Sequence, residues 1–380
     1  MASVVEVCDY HGPYPGNFIP SMLATGEAVR ARLGLDYRCV FPEAVAARPW
    51  VQMLRDAEIE HTFLPAAGGP ARLRALRTFA RDAGARLLRS HFTAWDLDAA
   101  LAGRSLGARV LWNIHSGMLH YGVRQRTADL VKVRALGRVL CDRVVVVSEE
   151  IGREARMRGF PERKVSVVLN GIDVRRFAPG RLPEREVARK GLGLEPGVRV
   201  VLGFGWSPYR KGADVVARAG ASLAARGEPL AVVLVGGDEL RAHLHRHAGD
   251  PLPPWLRVVA PFDDPGMLFA AADVFVSASR KEGLPYAIGE AMAAGLPVAS
   301  SAIPASEAYF GAKGVRTYPA EDPAALAAVI RELLAPGAQE SLGAPNRAYV
   351  AERLGLERHV DAIVDVFARE LRTARRRRGR

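Results

Sequence analysis

ADVFVSASRKEGLPYAIGEAMAAGLPVASS, residues 272–301, reads as one complete strand–loop–helix–strand unit. Val274–Ser277 is short, apolar and unalternated, the pattern of a strand buried on both faces of a parallel sheet. Pro285 suits a first helical turn, small residues fill Tyr286–Ala294, and Gly295 supplies the stop before Pro297 leads into a second strand at Val298–Ser300. The helix start lets the amides near Tyr286 and Ala287 point at an anion. Glu282 falls in the loop and Glu290 inside the helix. Gly289 costs the helix roughly 1 kcal/mol against alanine, which implies that something packs close there. From these residues alone, Glu282 reads as well as a helix cap, and Glu290 as well as a solvated charge.

The same unit recurs along the chain. Further strands are expected at Val4–Cys8, Tyr37–Phe41, Arg109–Ile114, Arg143–Val147 and Val165–Leu169, then at Val198–Phe204, Ala231–Val235 and Leu256–Val259. Helical spacing marks Met22–Leu33, Glu149–Met157 and Ala213–Arg226. Such alternation predicts an α/β protein of two Rossmann-like, doubly wound parallel-sheet domains. The alternation pauses over GIDVRRFAPGRLPEREVARKGLGL, residues 171–194, which is the expected boundary. The domains are therefore placed at 1–180 and 195–355, with a helix at 356–372 and a basic tail at 373–380. Two such sheets would face a cleft that holds a substrate from each side.

The run E-G-x-x-x-x-x-x-E-A-M-A-x-G-x-P-V from Glu282 resembles the E-x7-E motif of the retaining GT-B glycosyltransferases of family 4. The resemblance implies that Glu282 contacts hydroxyls of a donor sugar and Glu290 the ribose of its nucleotide. Gly283, Leu284, Tyr286 and Ala287 would then meet the distal phosphate through the loop amides. A carboxylate suits hydroxyl recognition because it accepts two hydrogen bonds in a fixed geometry. VLGFGWSPYRKGAD, Val201 to Asp214, resembles the family's G-R-x-x-x-x-K-G segment, whose cations neutralise the diphosphate. Lys211-Gly212 matches; Trp206 stands at the usual arginine position, and Arg210 is the candidate replacement. In the first half, Gly16 matches a glycine near the donor diphosphate, and His115, at the end of a strand, matches a histidine near the reacting carbon. Val145–Glu150 and Asn170–Asp173 match landmarks of the fold. The resemblance covers most of the chain, weakly before Arg109.

It implies transfer of a sugar, with retention, from a nucleoside diphosphate sugar to a hydroxyl acceptor. No cofactor or required metal is expected, since no Asp-x-Asp pair is placed as in metal-dependent relatives; adjacent Asp263 and Asp264 read as loop polarity. The epimerase reading on the same scaffold stays open. A nicotinamide oxidoreductase lacks its G-x-G-x-x-G run after the first strand. A net charge of +12 would suit a nucleic-acid binder, yet no basic–aromatic interleaving accompanies it, and no nucleic-acid partner is expected. Six of the positive charges are arginines in the tail RTARRRRGR, which reads as a solvated, disordered end. The segment ARLRALRTFARDAGARLLR, Ala71–Arg89, reads as a basic amphipathic helix: an ordinary surface, or one that meets anionic lipid or a phosphorylated substrate. Scattered Cys8, Cys39 and Cys141, with no apolar run long enough to span a membrane and no leader pattern, lead us to expect a cytoplasmic protein, peripheral at the inner membrane face if the basic surfaces act there.

Overall fold

The computed structural model describes residues 2–12, 15–65, 68–92, 95–115, 133–178, 180–261, 265–311 and 314–378. Internal contacts divide them into two units, Met1–Gly171 with Leu356–Arg380, and Ile172–Gly355.

The first unit is built on seven parallel strands: β1 (Ser3–Cys8), β2 (Asp36–Pro42), β3 (Glu60–Leu64), β4 (Ala85–His91), β5 (Arg109–Ile114), β6 (Arg143–Val146) and β7 (Val165–Val167). Their order is β3-β2-β1-β4-β5-β6-β7. Val4, Val5, Val7, Leu87, Leu88, Val110 and Leu111 are fully buried, as strands covered on both faces require. Two of these strands differ from the sequence expectation. β3 is a polar edge strand without an apolar run. β4 lies at the centre of the sheet, inside the segment read as one basic helix; that helix spans Pro70–Asp82 only. What makes Ala85–His91 a central strand is a partner that helical spacing cannot reveal. Glu6 on β1 lies opposite Arg89 in register, and the two side chains bond at 2.8 Å.

The final helix, Leu356–Arg378, belongs to this first unit. It buries Val360, Ile363, Val364 and Phe367 in the core that also holds Val4 and Val29. Arg32 reaches Asp361 and Asp365 at 2.8 and 2.7 Å, and Glu370 receives Arg109 and Arg143. The arginine tail is corrected accordingly: its backbone stays helical through Arg378 instead of ending near Arg372 in disordered chain.

The second unit carries β8 (Arg199–Phe204), β9 (Leu230–Val235), β10 (Leu256–Val259), β11 (Val274–Ser277), β12 (Val298–Ser301) and β13 (Val315–Tyr318), ordered β10-β9-β8-β11-β12-β13. All pair in parallel. The stretch expected as a boundary folds with this unit. Within it, Arg185 and Arg189 bond the buried carboxylate of Asp273, which also accepts the Val200 N–H at 2.7 Å. Phe177 sits edge-on against Phe269.

Each sheet reverses its winding once, between β1 and β4 in the first unit and between β8 and β11 in the second. Neighbouring strands there send their connections to opposite faces, which opens a crevice beyond their carboxyl ends. The loops leaving β1, β4, β8 and β11 are therefore where ligand chemistry belongs. Asp263 and Asp264 lie outside the described residues. No helix among the described residues is long and apolar enough to cross a membrane.

Candidate active site

In the second unit, Gly205–Gly212 leaves β8 and Ala278–Pro285 leaves β11. Arg280 ties the two loops together. Its guanidinium bonds both carboxylate oxygens of Asp214 at 3.0 and 2.9 Å and Glu321 at 2.6 Å, and lies 4.2 Å from the Tyr209 ring centroid. Its backbone N–H donates to the Arg210 carbonyl at 2.8 Å. Asp214 is held ionised: partial burial pushes its pKa up, and the bonds from Arg280 more than reverse that.

The tie places three donors on Glu282. Lys211 Nζ lies 2.5 Å and Ser279 Oγ 2.8 Å from Oε1, and an Arg210 nitrogen lies 3.2 Å from Oε2. Burial alone would raise the Glu282 pKa; the Lys211 and Arg210 charges overcome it and hold the carboxyl below its ordinary range. One carboxylate between two cations leaves a local charge of +1 before any ligand arrives. Arg210 is well exposed at 43%, while Lys211 is nearly covered, with its ammonium 4.8 Å from the centroid of Trp206. The tryptophan at the usual arginine position thus packs over the lysine, and a cation over an indole face is favourable.

Gly212 makes this geometry accessible. It has φ +65°, and a Cβ there would lie 2.1 Å from the Ala278 carbonyl oxygen, part of the backbone of the opposite loop. Gly212→Ala is expected to destabilise the second unit by about 3 kcal/mol, combining left-handed strain with the clash. A urea titration of the full chain checks this; an unchanged midpoint would show that the loops part without cost.

The helix Tyr286–Ala293 starts directly after this loop. Gly283, Leu284 and Ala287 are buried and Tyr286 is partly so. Glu290 is buried in the helix with 7% exposure, so it is no freely solvated charge. The close neighbour implied by Gly289 is Ile172, whose Cδ1 a Cβ at that position would meet at 2.0 Å.

In the first unit, Gly16 lies between β1 and the helix Phe18–Leu33 with φ +54°. His115 follows β5 and is only partly exposed. Its Nε2 lies 2.8 Å from His91 Nδ1 and 3.1 Å from Asn113 Nδ2. Phe92 stacks on its ring at 4.3 Å and 14°. Phe92 itself has φ +65°, a conformation that costs a non-glycine residue about 1–3 kcal/mol and gathers at functional sites. Glu282, Lys211 and Arg210 are therefore brought together in one unit, and Gly16 and His115 belong to the other.

Sequence reasoning missed Ser279, Arg280, His91 and Phe92. Ser279 and Arg280 lie within the very stretch that carried the motif, and polar residues closing a buried strand were the signal. His91 had none, because the strand that delivers it was not recognised.

Comparison with known proteins gives one match on each half. Residues 42–176 match the family model Glycosyltransferase Family 4, and residues 198–336 match Glycosyl transferases group 1. D-inositol 3-phosphate glycosyltransferase 2 of Catenulispora acidiphila is 31% identical over 249 residues, which cover 62% of this chain and 57% of that protein. Spore coat protein SA of Bacillus subtilis is 29% identical over 244 residues, covering 59% and 64%. The chain thus spans about three fifths of the length of these relatives. Among solved structures, a glycosyltransferase from Rickettsia africae superposes with TM-score 0.80 at 14% identity over 97% of this chain and 99% of that one. Anabaena Alr3699/HepE, solved in complex with UDP-glucose, gives TM-score 0.80 at 16% identity over 96% and 99%.

Proposed function

Because the chain belongs to the GT-B-fold glycosyltransferases of family 4, we propose that it moves a sugar from a nucleoside diphosphate sugar to an acceptor hydroxyl, with retention at the anomeric carbon. The observation that carries the proposal is Glu282, held between Lys211, Arg210 and Ser279 beside a helix start at the switch point of the second sheet. In this reading Glu282 accepts hydrogen bonds from the donor sugar's hydroxyls and Glu290 from the ribose. Gly283, Leu284, Tyr286 and Ala287 offer backbone to the distal phosphate, and Gly16 is assigned to donor binding as a loop glycine that lets backbone approach a ligand closely. His115 contacts the donor sugar.

The departing nucleoside diphosphate gains negative charge as the glycosidic bond breaks. Lys211 and Arg210 are fixed cations aimed at that charge, and their excess over Glu282 suits an anion better than a neutral sugar. The reacting carbon passes through an oxocarbenium-like state, and the leaving phosphate oxygen takes the acceptor's proton on the same face. This scheme assigns the protein no nucleophilic carboxylate, unlike a retaining glycosidase. The exposed Arg74, Arg77 and Arg81 are the surface we assign to an anionic membrane or a phosphorylated acceptor, with the cytoplasm as the setting.

A panel of nucleotide sugars, beginning with the UDP-glucose seen in the Anabaena structure, tests the reading by mass spectrometry of products. Slow donor hydrolysis and sugar transfer are expected, with rates in EDTA within about twofold of those without it, since the cations on the diphosphate are side chains. Release of an isomerised sugar nucleotide without any acceptor would favour an epimerase instead. No turnover of any donor would refute the proposal.

A further inference from the structure

Among the described residues, a set of buried titratable groups lies at the winding reversal of the first sheet. Glu6 on β1 has no exposure and is bonded by Arg89 and His91, both on β4. Both bonds end on the same oxygen, Oε2, at 2.8 and 2.9 Å. His91, 2% exposed, turns its other nitrogen, Nδ1, to His115 Nε2 at 2.8 Å. The line Glu6–His91–His115 thus crosses three adjacent strands, β1, β4 and β5, and stops at the residue read above as a sugar contact.

We propose that Glu6 and His91 are positioning residues that fix the tautomer of His115, with Nε2 protonated and Nδ1 left as a hydrogen-bond acceptor for a hydroxyl of the bound sugar.

Glu6 is ionised: burial raises its pKa, but Arg89 and His91 bring it down to about 2. An ionised carboxylate only accepts, so His91 must donate from Nε2. Burial and the Arg89 charge lower the His91 pKa to about 4, against the opposing pull of Glu6, so at neutral pH this ring holds one proton. That proton being on Nε2, His91 Nδ1 can only accept, and the proton in the 2.8 Å contact must come from His115 Nε2. Asn113 Nδ2 lies 3.1 Å from the same Nε2; with that ring nitrogen protonated two donors would meet, so this tautomer requires the carboxamide turned over, its oxygen toward the ring. His115 is itself neutral, its pKa lowered by burial and by the neighbouring His91 and Arg89. Its Nδ1 is the ring's one remaining polar atom, and an acceptor. Phe92 stacked on one face and Phe18 edge-on keep the ring from turning over.

Which tautomer a histidine holds decides whether it can receive a sugar hydroxyl's proton or must compete to donate its own. The orienting carboxylate–histidine pairs of hydrolases and metal sites work by the same logic. Here the orienter is a second histidine, itself set by a carboxylate.

The test is nitrogen NMR on the unliganded, ¹⁵N-histidine-labelled full chain, with the His115 signals assigned by their loss in His115→Asn. Both His91 and His115 are expected to show a protonated Nε2 and a bare Nδ1. In His91→Phe, which keeps a ring among Phe18 and Phe92, the His115 signals should move toward an average of the two tautomers. kcat/KM should then fall about tenfold, in line with the loss of an orienting partner. A protonated Nδ1 on His115 in the unaltered chain overturns the proposal, as does an unchanged His115 signature in folded His91→Phe. If that variant does not fold, the spectrum of the unaltered chain decides alone. The proposal rests on the reading of His115 as a sugar contact only for its purpose. Were no nucleotide sugar turned over, that reading would fail, while the nitrogen signature would still decide the relay.

Discussion

Replacing Glu282 with glutamine is expected to lower kcat/KM for sugar transfer by about three orders of magnitude, the upper range for losing one preorganised polar contact in an active site. The substitution keeps the side chain's length and one oxygen, so Ser279 and Lys211 keep an acceptor. It removes the charge that holds Lys211 and Arg210 in register. The loss should therefore fall on kcat more than on KM, because diphosphate binding by the two cations survives while their alignment on the leaving oxygen does not. A covered Lys211 without its counter-charge costs a further 1–3 kcal/mol or so of stability, and urea midpoints must be measured beside the kinetics. Glu290→Gln supplies the contrast. A ribose contact is made equally in ground and transition states, so that variant should raise donor KM and leave kcat nearly unchanged. Transfer by Glu282→Gln within about threefold of the unaltered rate would remove this carboxylate from the chemistry.

The strand–loop–helix unit that holds Glu282 was legible because it is local. Val274–Ser277, Glu282, Pro285 and Glu290 sit within one strand–loop–helix unit, and hydrophobic pattern and helix punctuation report such units well. Lys211 was singled out only by the resemblance of Lys211-Gly212 to the family's segment; from the residues alone it reads as a solvated loop cation. What stayed hidden depends on residues far apart in the chain. The segment Ala85–His91 carries two arginines and a histidine, and no periodicity marks it as a central strand. Its stability there comes from Glu6, 83 residues before Arg89. An Arg with a buried carboxylate opposite can occupy a sheet interior that an isolated Arg cannot. Once that strand was missed, His91 could not be set beside His115, and the lone histidine looked like an isolated site residue. Trp206 is the converse case. Sequence comparison marked it as a departure from the arginine pattern, but its contact with Lys211 required the loop's actual turn through Pro208 and Gly212.

Acidification from pH 7.5 to 4.5 is expected to unfold the first unit before the second. His91 is buried neutral with a pKa of about 4, against 6.5 when free. In the unfolded chain it takes up a proton as pH falls through 6.5, while the folded protein resists protonation until about 4. Stability from this group is therefore complete above pH 6.5 and is lost as pH falls toward 4, by up to about 3 kcal/mol in all. His359, also brought to about 4 by burial against the opposing bond to the Leu169 carbonyl, and His115 act in the same direction. Both are partly exposed, so their contributions are smaller per group. Glu6 acts in a later window: its depressed pKa stabilises above 4.5, and that contribution disappears only as pH falls from 4.5 toward 2. Together the histidines remove a large share of the roughly 5–15 kcal/mol that holds a domain folded. Among the described residues of the second unit His243 is the one buried histidine, so its titratable load is lighter. Urea titrations at pH 7.5 and 5 with peptide-resolved hydrogen exchange follow the two units separately. Peptides from 1–171 should lose protection at a lower urea concentration at pH 5, with those from 172–355 shifted less. Equal shifts in both units, or earlier loss in the second, would mean that the histidines beside Glu6 and Arg89 do not carry the charge cost their burial implies.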